Sequence, residues 1–385
     1  MRRLIVLILL LWPFSAPAQD SPADVIIGLI TLKDDPRYVR DWGYARLVVP
    51  PPVRSIDGAQ MAISDLAFVS EAMGLAPRVD AREVAEGEAV LAVQELVAEG
   101  ARFVLLDLPG EMVETVASAG FDATLINVSA PDNALRDTCD PDLLHSFPSD
   151  REMMDAFAQF LRSKDWTDVL ILQGDTTRDA VIAEAFVQSA ERLRLSIRDS
   201  RPFSLAADPA QREGNNVSLL TGGARYDVVF VADSRGEFGR YVPYATQAAR
   251  PVIGSIGLTA EAWHWAMERD GATQVSSRFD RLYGRKMGSV DWAAWIAVKS
   301  VLQAYTRAPE RTRAAMTDYM ASDAMSLDGS KGVQLNYRHW SGQLRMPILL
   351  ATSDAVIEVA PLSGFMHATN VLDTLGVDQA EARCR

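Results

Sequence analysis

The strongest constraint on this chain is that short apolar runs keep returning between amphipathic helical stretches. Val25 to Thr31, Phe103 to Leu108, Thr124 to Asn127, Asp168 to Gln173, Tyr226 to Ala232 and Pro251 to Gly254 are each four to seven residues long. They are nearly continuous rather than alternating, which is how strands buried on both faces read. A helix is expected over Ser55 to Met73, with Ile56, Ala59, Ile63, Leu66, Ala67 and Met73 near helical spacing. Another covers Glu88 to Glu99 and stops at Gly100, and a third runs to about Ser118. Strands alternating with helices predict mainly parallel sheets covered by helices.

The pattern restarts at Ser149, where Ser149 and Glu152 form a capping box opening a helix to Lys164. Helices over Thr177 to Arg194 and roughly Phe238 to Thr246 separate the later strands. After Leu258 helices are expected over Glu261 to Arg269, Ser276 to Met287, Asp291 to Tyr305 and Pro309 to Met320. Strands follow near Val333 to Arg338, Met346 to Ala351 and Val356 to Val359. With 385 residues, 48% of them hydrophobic, two cores can be filled. No flexible linker separates the halves. The expected fold class is therefore α/β, with two lobes crossed by several chain segments. The division is 24–143 plus 258–330 for one lobe and 144–257 plus 331–385 for the other.

The first eighteen residues look like a cleaved export signal. Arg2 and Arg3 precede the apolar run Leu4 to Leu11, and Ala16-Pro17-Ala18 supplies small residues for cleavage before Gln19. The apolar run is too short to span a bilayer. The working protein is thus expected to be soluble outside the cytoplasm, in the periplasm, where ATP- or NAD-dependent chemistry is implausible. A net charge of −13 argues against a nucleic-acid partner, which would require clustered Lys and Arg. The two cysteines, Cys139 and Cys384, are expected to form one disulfide in such a compartment, the alternative being two unpaired thiols.

Catalytic signatures are missing. There is no Gly-x-Ser-x-Gly elbow, His-Glu-x-x-His, Cys-x-x-Cys or P-loop, and the four histidines are too far apart in sequence for a helix-borne metal pair. The chain is read as neither an enzyme nor a metalloprotein, with no resident cofactor.

Several strings carry a resemblance. Ile56-Asp57-Gly58-Ala59-Gln60-Met61-Ala62, the strand Val104 to Gly110, the loop Asn127-Val128-Ser129-Ala130-Pro131 and the run Leu144 to Asp150 resemble the type I periplasmic solute-binding proteins. These are the leucine/branched-chain amino-acid-binding class of ABC transporter receptors. Four further strings are similar to a subgroup associated with PQQ-dependent alcohol dehydrogenase systems. They are Phe238 to Tyr244, Arg250 to Gly254, Asp291 to Trp295 and Gly342 to Ala351. The resemblance implies two doubly wound Rossmann-like lobes with a ligand cleft between them, ligand capture by cleft closure and delivery to an ABC permease. It also implies a possible second partner, a quinoprotein dehydrogenase. The loop at Ser129 departs from the family's serine-threonine pair, which argues against an ordinary amino-acid ligand.

In open α/β lobes ligands bind at the carboxyl ends of strands, and this rule picks the candidate residues. After the first strand, Lys33, Arg37, Arg40, Arg46 and Arg54 interleave with Tyr38, Trp42 and Tyr44. Arginine forks and aromatic faces would suit a planar organic anion, with pyrroloquinoline quinone (PQQ) as a bound ligand. The alternative is a loop whose charges pair with Asp34, Asp35 and Asp41. Gly110 and Ser129 mark the next two loops. On the other lobe Asp175, Asp233 and Glu237 follow strands, with Asp175 alternatively serving as a helix cap. A periplasmic accessory or sensor protein and an unrecognised hydrolase are the rival classes.

Overall fold

The computed structural model describes residues 22–38, 40–42, 47–49, 55–205 and 214–384. Two parallel sheets organise it. The first runs in the order Leu75–Val84, Ala23–Leu32, Phe103–Asp107, Thr124–Asn127, Leu143–His145. The second runs Val252–Gly254, Val228–Ala232, Asp168–Gln173, Ser196–Pro202. In both, the central strands are largely apolar because helices cover both faces. Phe103 to Asp107 and Val228 to Ala232 are buried at every position.

Helices form where the apolar spacing and the caps agree. Asp150–Ser163 begins with Ser149 accepting from the Glu152 backbone, while the Glu152 carboxylate accepts from the Ser149 backbone. Thr176 and Asp179 make the same reciprocal cap for Thr177–Arg192. The helix Ser289–Arg307 carries Trp292 and Trp295 into the core, and the helix Ser55–Asp65 packs directly on it. A Cβ on Gly58 would overlap the Asp291 carbonyl, so only glycine allows that approach.

Three expected elements are broken or of another kind, besides shifted or shortened ones such as Ala272–Tyr283 for Ser276 to Met287 and Gln334–Leu335 for Val333 to Arg338. The Ser55 to Met73 helix is broken at Leu66 into Ser55–Asp65 and Ala67–Ala72. The segment expected as a helix over Glu261 to Arg269 is not helical. Thr259–Glu261 pairs antiparallel with Ile348–Ala351, and Trp263 is then buried, its ring parallel to that of Trp292 at 6.2 Å. The Phe238 to Thr246 helix splits into the single turns Gly239–Tyr241 and Val242–Ala245, because Asp233 captures the Gly239 N–H and Pro243 has no N–H to continue the ladder.

The chain crosses between lobes three times. The first crossing follows His145, the second comes after Thr259–Glu261, which still packs with Ile348–Ala351 against Asp150–Ser163, and the third is Arg338–Met346. The first and third are paired: His145 N–H donates to Gly342 O and Leu344 N–H to His145 O, both at 2.8 Å. Arg136, buried beside them, donates to the Gln343 side chain at 2.9 Å and to Phe147 O at 2.7 Å. It also donates to Ala130 O and Asp132 O. One side chain therefore fastens two crossings to the loop that follows Asn127. Burial lowers its pKa to about 10.

Cys139 and Cys384 are joined as a disulfide. It links the loop before Leu143–His145 to the C-terminal segment, which is itself fastened to the second lobe by the Gly376 N–H donating to Asp155. A buried ion network, Arg338 with Glu152 and Asp373 and Arg345 with Asp373, holds the same segment. No helix among the described residues is long and apolar enough to cross a membrane.

Candidate functional site

The first wall of the site is built by three neighbouring strands of the first sheet. Thr31 lies beside Asp107, and Leu106 beside Asn127, so the loops Lys33 to Tyr38, Leu108 to Gly110 and Val128 to Pro131 emerge together. Arg37 joins all three. Its Nε donates to both Asp35 oxygens, at 3.0 and 2.9 Å. Nη1 donates to Leu108 O and to Ser129 Oγ, each at 2.9 Å. Nη2 donates to Asp35 at 2.6 Å and to Asp107 at 3.2 Å. Tyr38 donates its hydroxyl to Asp107 at 2.5 Å. Burial and the Asp107 charge raise the Tyr38 pKa well above that of a free phenol. Burial alone would lower the Arg37 pKa, but the bond to Asp35 and the surrounding negative charge outweigh it and raise it.

Asn127 shapes the third loop. Its carbonyl accepts from the Ser129 and Ala130 backbones, and its amide donates to Ala130 O and to His145 Nδ1. Gly110 opens the helix Gly110–Ala119, and a Cβ there would lie 2.5 Å from the Asp132 carboxylate. That carboxylate already sits at the positive end of the helix, where a bound anion would otherwise be favoured.

The second wall comes from the other sheet. Gln173 lies beside Ala232 and Val231 beside Gly254, which brings the loops after these three strands together. Asp233 accepts from the Gly236 and Gly239 backbones at 2.9 and 2.7 Å, and its own N–H donates to Ser255 Oγ. Burial raises its pKa despite those bonds. Asp179 accepts from the Ser234 and Thr176 backbones, and so ties the two loops to each other. Asp175 is exposed and accepts from Ser204 Oγ, while Glu237 is buried. The cap of the adjoining helix is Thr176, so Asp175 is not the cap.

The structure thus brings Arg37, Tyr38 and Ser129 into one bonded cluster, with Gly110 two residues from Leu108. Asp175, Asp233 and Glu237 gather on the other sheet. Trp42 belongs to the short strand Arg40–Trp42, but its side chain lies outside the described residues, as do Tyr44, Arg46, Arg54 and residues 1–21. The alternative of pairing with Asp35 describes Arg37 better than a free fork does. Sequence reasoning missed Asp35 and Asp107 as site residues. Asp107 carried a usable signal, a charged residue at the carboxyl end of an otherwise apolar strand. Ser234 was marked only by its place after a strand, and Asp179 and Ser255 carried no signal, because their roles depend on bonds between distant loops.

The fold, with strand-end loops gathered on each of two parallel sheets, defines a bilobal α/β protein. The family model described as periplasmic binding protein matches residues 83–355, and the chain belongs to that family. No curated protein matches the sequence. Among solved structures, an ABC transporter substrate-binding protein from Sphaerobacter thermophilus is 15% identical, with TM-score 0.70 over 88% of this chain and 98% of its own. A leucine-, isoleucine-, valine-, threonine- and alanine-binding protein from Brucella ovis, in a closed conformation, is 12% identical with TM-score 0.70 over 94% and 98%. A solute-binding protein from R. palustris in complex with benzoate is 11% identical with TM-score 0.65 over 94% and 100%. These likenesses establish the two-lobed type I fold.

Proposed function

We propose that this protein is the substrate-binding component of an ABC transporter. It would capture a small organic ligand between the two walls by cleft closure and deliver it to a membrane permease. The observation that carries the reading is the pair of walls: two sets of strand-end loops, one knit by Arg37 and the other by Asp179, on lobes joined by paired crossings. The relatives described as ABC transporter substrate-binding proteins support the same reading. In it the lobes divide near residues 143, 257 and 330, export through the segment 1–18 places the protein in the periplasm, and no covalent step is needed.

The finer expectation was an organic anion linked to quinoprotein alcohol oxidation, with PQQ as the leading candidate. Its support is the four strings of the resemblance, not Arg37, whose N–H groups are already occupied. The second reading is an accessory or sensor protein docking on a PQQ-dependent dehydrogenase. It draws on Tyr241 and Tyr244, which lie within one of those strings and are 45% and 90% exposed. For a hydrolase, Ser129 would need a base. Its oxygen accepts instead from Arg37, a group that activates nothing by removing a proton.

Native mass spectrometry of freshly purified mature protein tests the reading. A small molecule bound one to one, and lost when Asp107 and Asp233 are replaced by alanine, is expected. Co-purification with a dehydrogenase and no small-molecule adduct would favour the accessory role.

A further inference from the structure

We propose that Arg37 sets the ligand class. Its guanidinium permanently fills the subsite formed by Leu108 O and Ser129 Oγ, so the first wall turns away ligands that meet it with a carboxylate and accepts those that meet it with a positively charged, hydrogen-bond-donating head. The proposal rests on the reading that the ligand binds between the two walls.

The geometry is that of a residue fixed in advance. A guanidinium has five N–H donors in a planar fork. Here the Nε donor goes to Asp35, the Nη1 donors to Leu108 O and Ser129 Oγ, and the Nη2 donors to Asp35 and Asp107. None remains for a ligand. Asp35 is itself held in a local turn: it accepts the Arg37 backbone N–H at 2.9 Å, and its carbonyl accepts from the Tyr38 backbone. Only 5% of Asp35 and 2% of Asp107 is exposed, so moving the arginine aside to receive a ligand carboxylate would leave two buried carboxylates without their counter-charge.

Charge counting then gives the sign. Among the described residues of these loops, Asp34, Asp35 and Asp107 stand against Lys33 and Arg37, a formal excess of one negative charge; the side chains of Arg40, Arg46 and Arg54 lie outside them. The Tyr38 hydroxyl, which could have donated to an anion, is spent on Asp107. The remaining lone pairs on Leu108 O and the carboxylates are acceptors. On the second wall Asp175, Asp179, Asp233 and Glu237 stand against Arg178, Arg235 and Arg240, and Arg178 is engaged in a bidentate pair with Asp150 at 2.5 Å. A carboxylate entering between the two walls meets like charge on both, which disfavours it in a desolvated contact. An ammonium or amidinium head meets acceptors.

Titration calorimetry and thermal shift on the mature protein test this with two compound sets. One holds primary amines, diamines and quaternary ammonium compounds, and the other benzoate, L-leucine and PQQ. Binding is expected from the first set and not from the second, and Asp107→Asn should weaken it at least tenfold. Binding of a carboxylate that Arg37→Met abolishes would show that Arg37 grips the ligand. That result would overturn the proposal while leaving the cleft reading intact. If Arg37→Met does not fold, carboxylate binding by the wild-type protein with indifference to the amines overturns it equally. No binding from either set, with no small molecule retained on purification, would overturn the cleft reading and the proposal with it.

Discussion

Arg37 donates to Ser129 at 2.9 Å across 92 positions of sequence, and this bond joins the first and third loops of the first wall. The two residues were the natural candidates to hold a ligand on that wall. They hold each other instead. The wall is consequently a pre-bonded surface in which Asp35 and Asp107 engage Arg37.

The packing beneath that wall depends on Gly58. A Cβ there would overlap the Asp291 carbonyl, and neither helix can withdraw, since Trp292 and Trp295 anchor Ser289–Arg307 in the core. Gly58→Ala should therefore cost about 1–3 kcal/mol, the range for overpacking a closed contact. Urea denaturation of the two proteins measures it. An unchanged midpoint would mean that the helices are not in contact at this point.

His145, at the start of the first crossing, is 1% exposed, and burial pushes its pKa well below the usual imidazole value, with the Arg136 charge adding to the effect. The depressed value means that the unfolded state takes the proton first. The stability His145 contributes is present above pH ~6.5 and is lost as pH falls. Between pH 7 and pH 5 the wild-type protein should lose about 2 kcal/mol more than His145→Asn, the limit for a group that stays neutral in the fold. Denaturation curves at both pH values give the difference. Equal losses in the two proteins would place a protonated imidazole in the folded state.

The Cys139–Cys384 bond spans 245 residues. Loop entropy puts its contribution near the upper end of the usual range, about 4–5 kcal/mol. Cys384→Ser should lower the melting temperature and speed amide exchange in residues 377–384, leaving the Arg338 network protected. Scanning calorimetry and exchange mass spectrometry read both. Exchange in residues 377–384 as slow as in the wild type would show that the tail is held without the bond.

Much of the fold was legible because its signals are local. Phe103 to Asp107 and Val228 to Ala232 are too apolar to be anything but buried strands, and Ser149 with Glu152 marks a helix start directly. The segment after Leu258 was misread because its structure is set elsewhere. Thr259–Glu261 becomes a strand only because Ile348–Ala351, some ninety residues on, offers an edge. The site was legible to the same degree. The strand-end rule led to Arg37, Tyr38 and Ser129, but it could not tell an arginine waiting for a ligand from one already satisfied. That distinction lies in the acceptors Leu108 O and Asp107, whose approach to Arg37 is a property of the assembled sheet.

Small-angle scattering of the mature protein, with and without a saturating bound compound, tests the central claim most directly. A cleft receptor predicts a smaller radius of gyration on binding, at one ligand per chain, and loss of the contraction in Asp107→Asn. An unchanged radius, together with undiminished binding in Asp107→Asn, would contradict it.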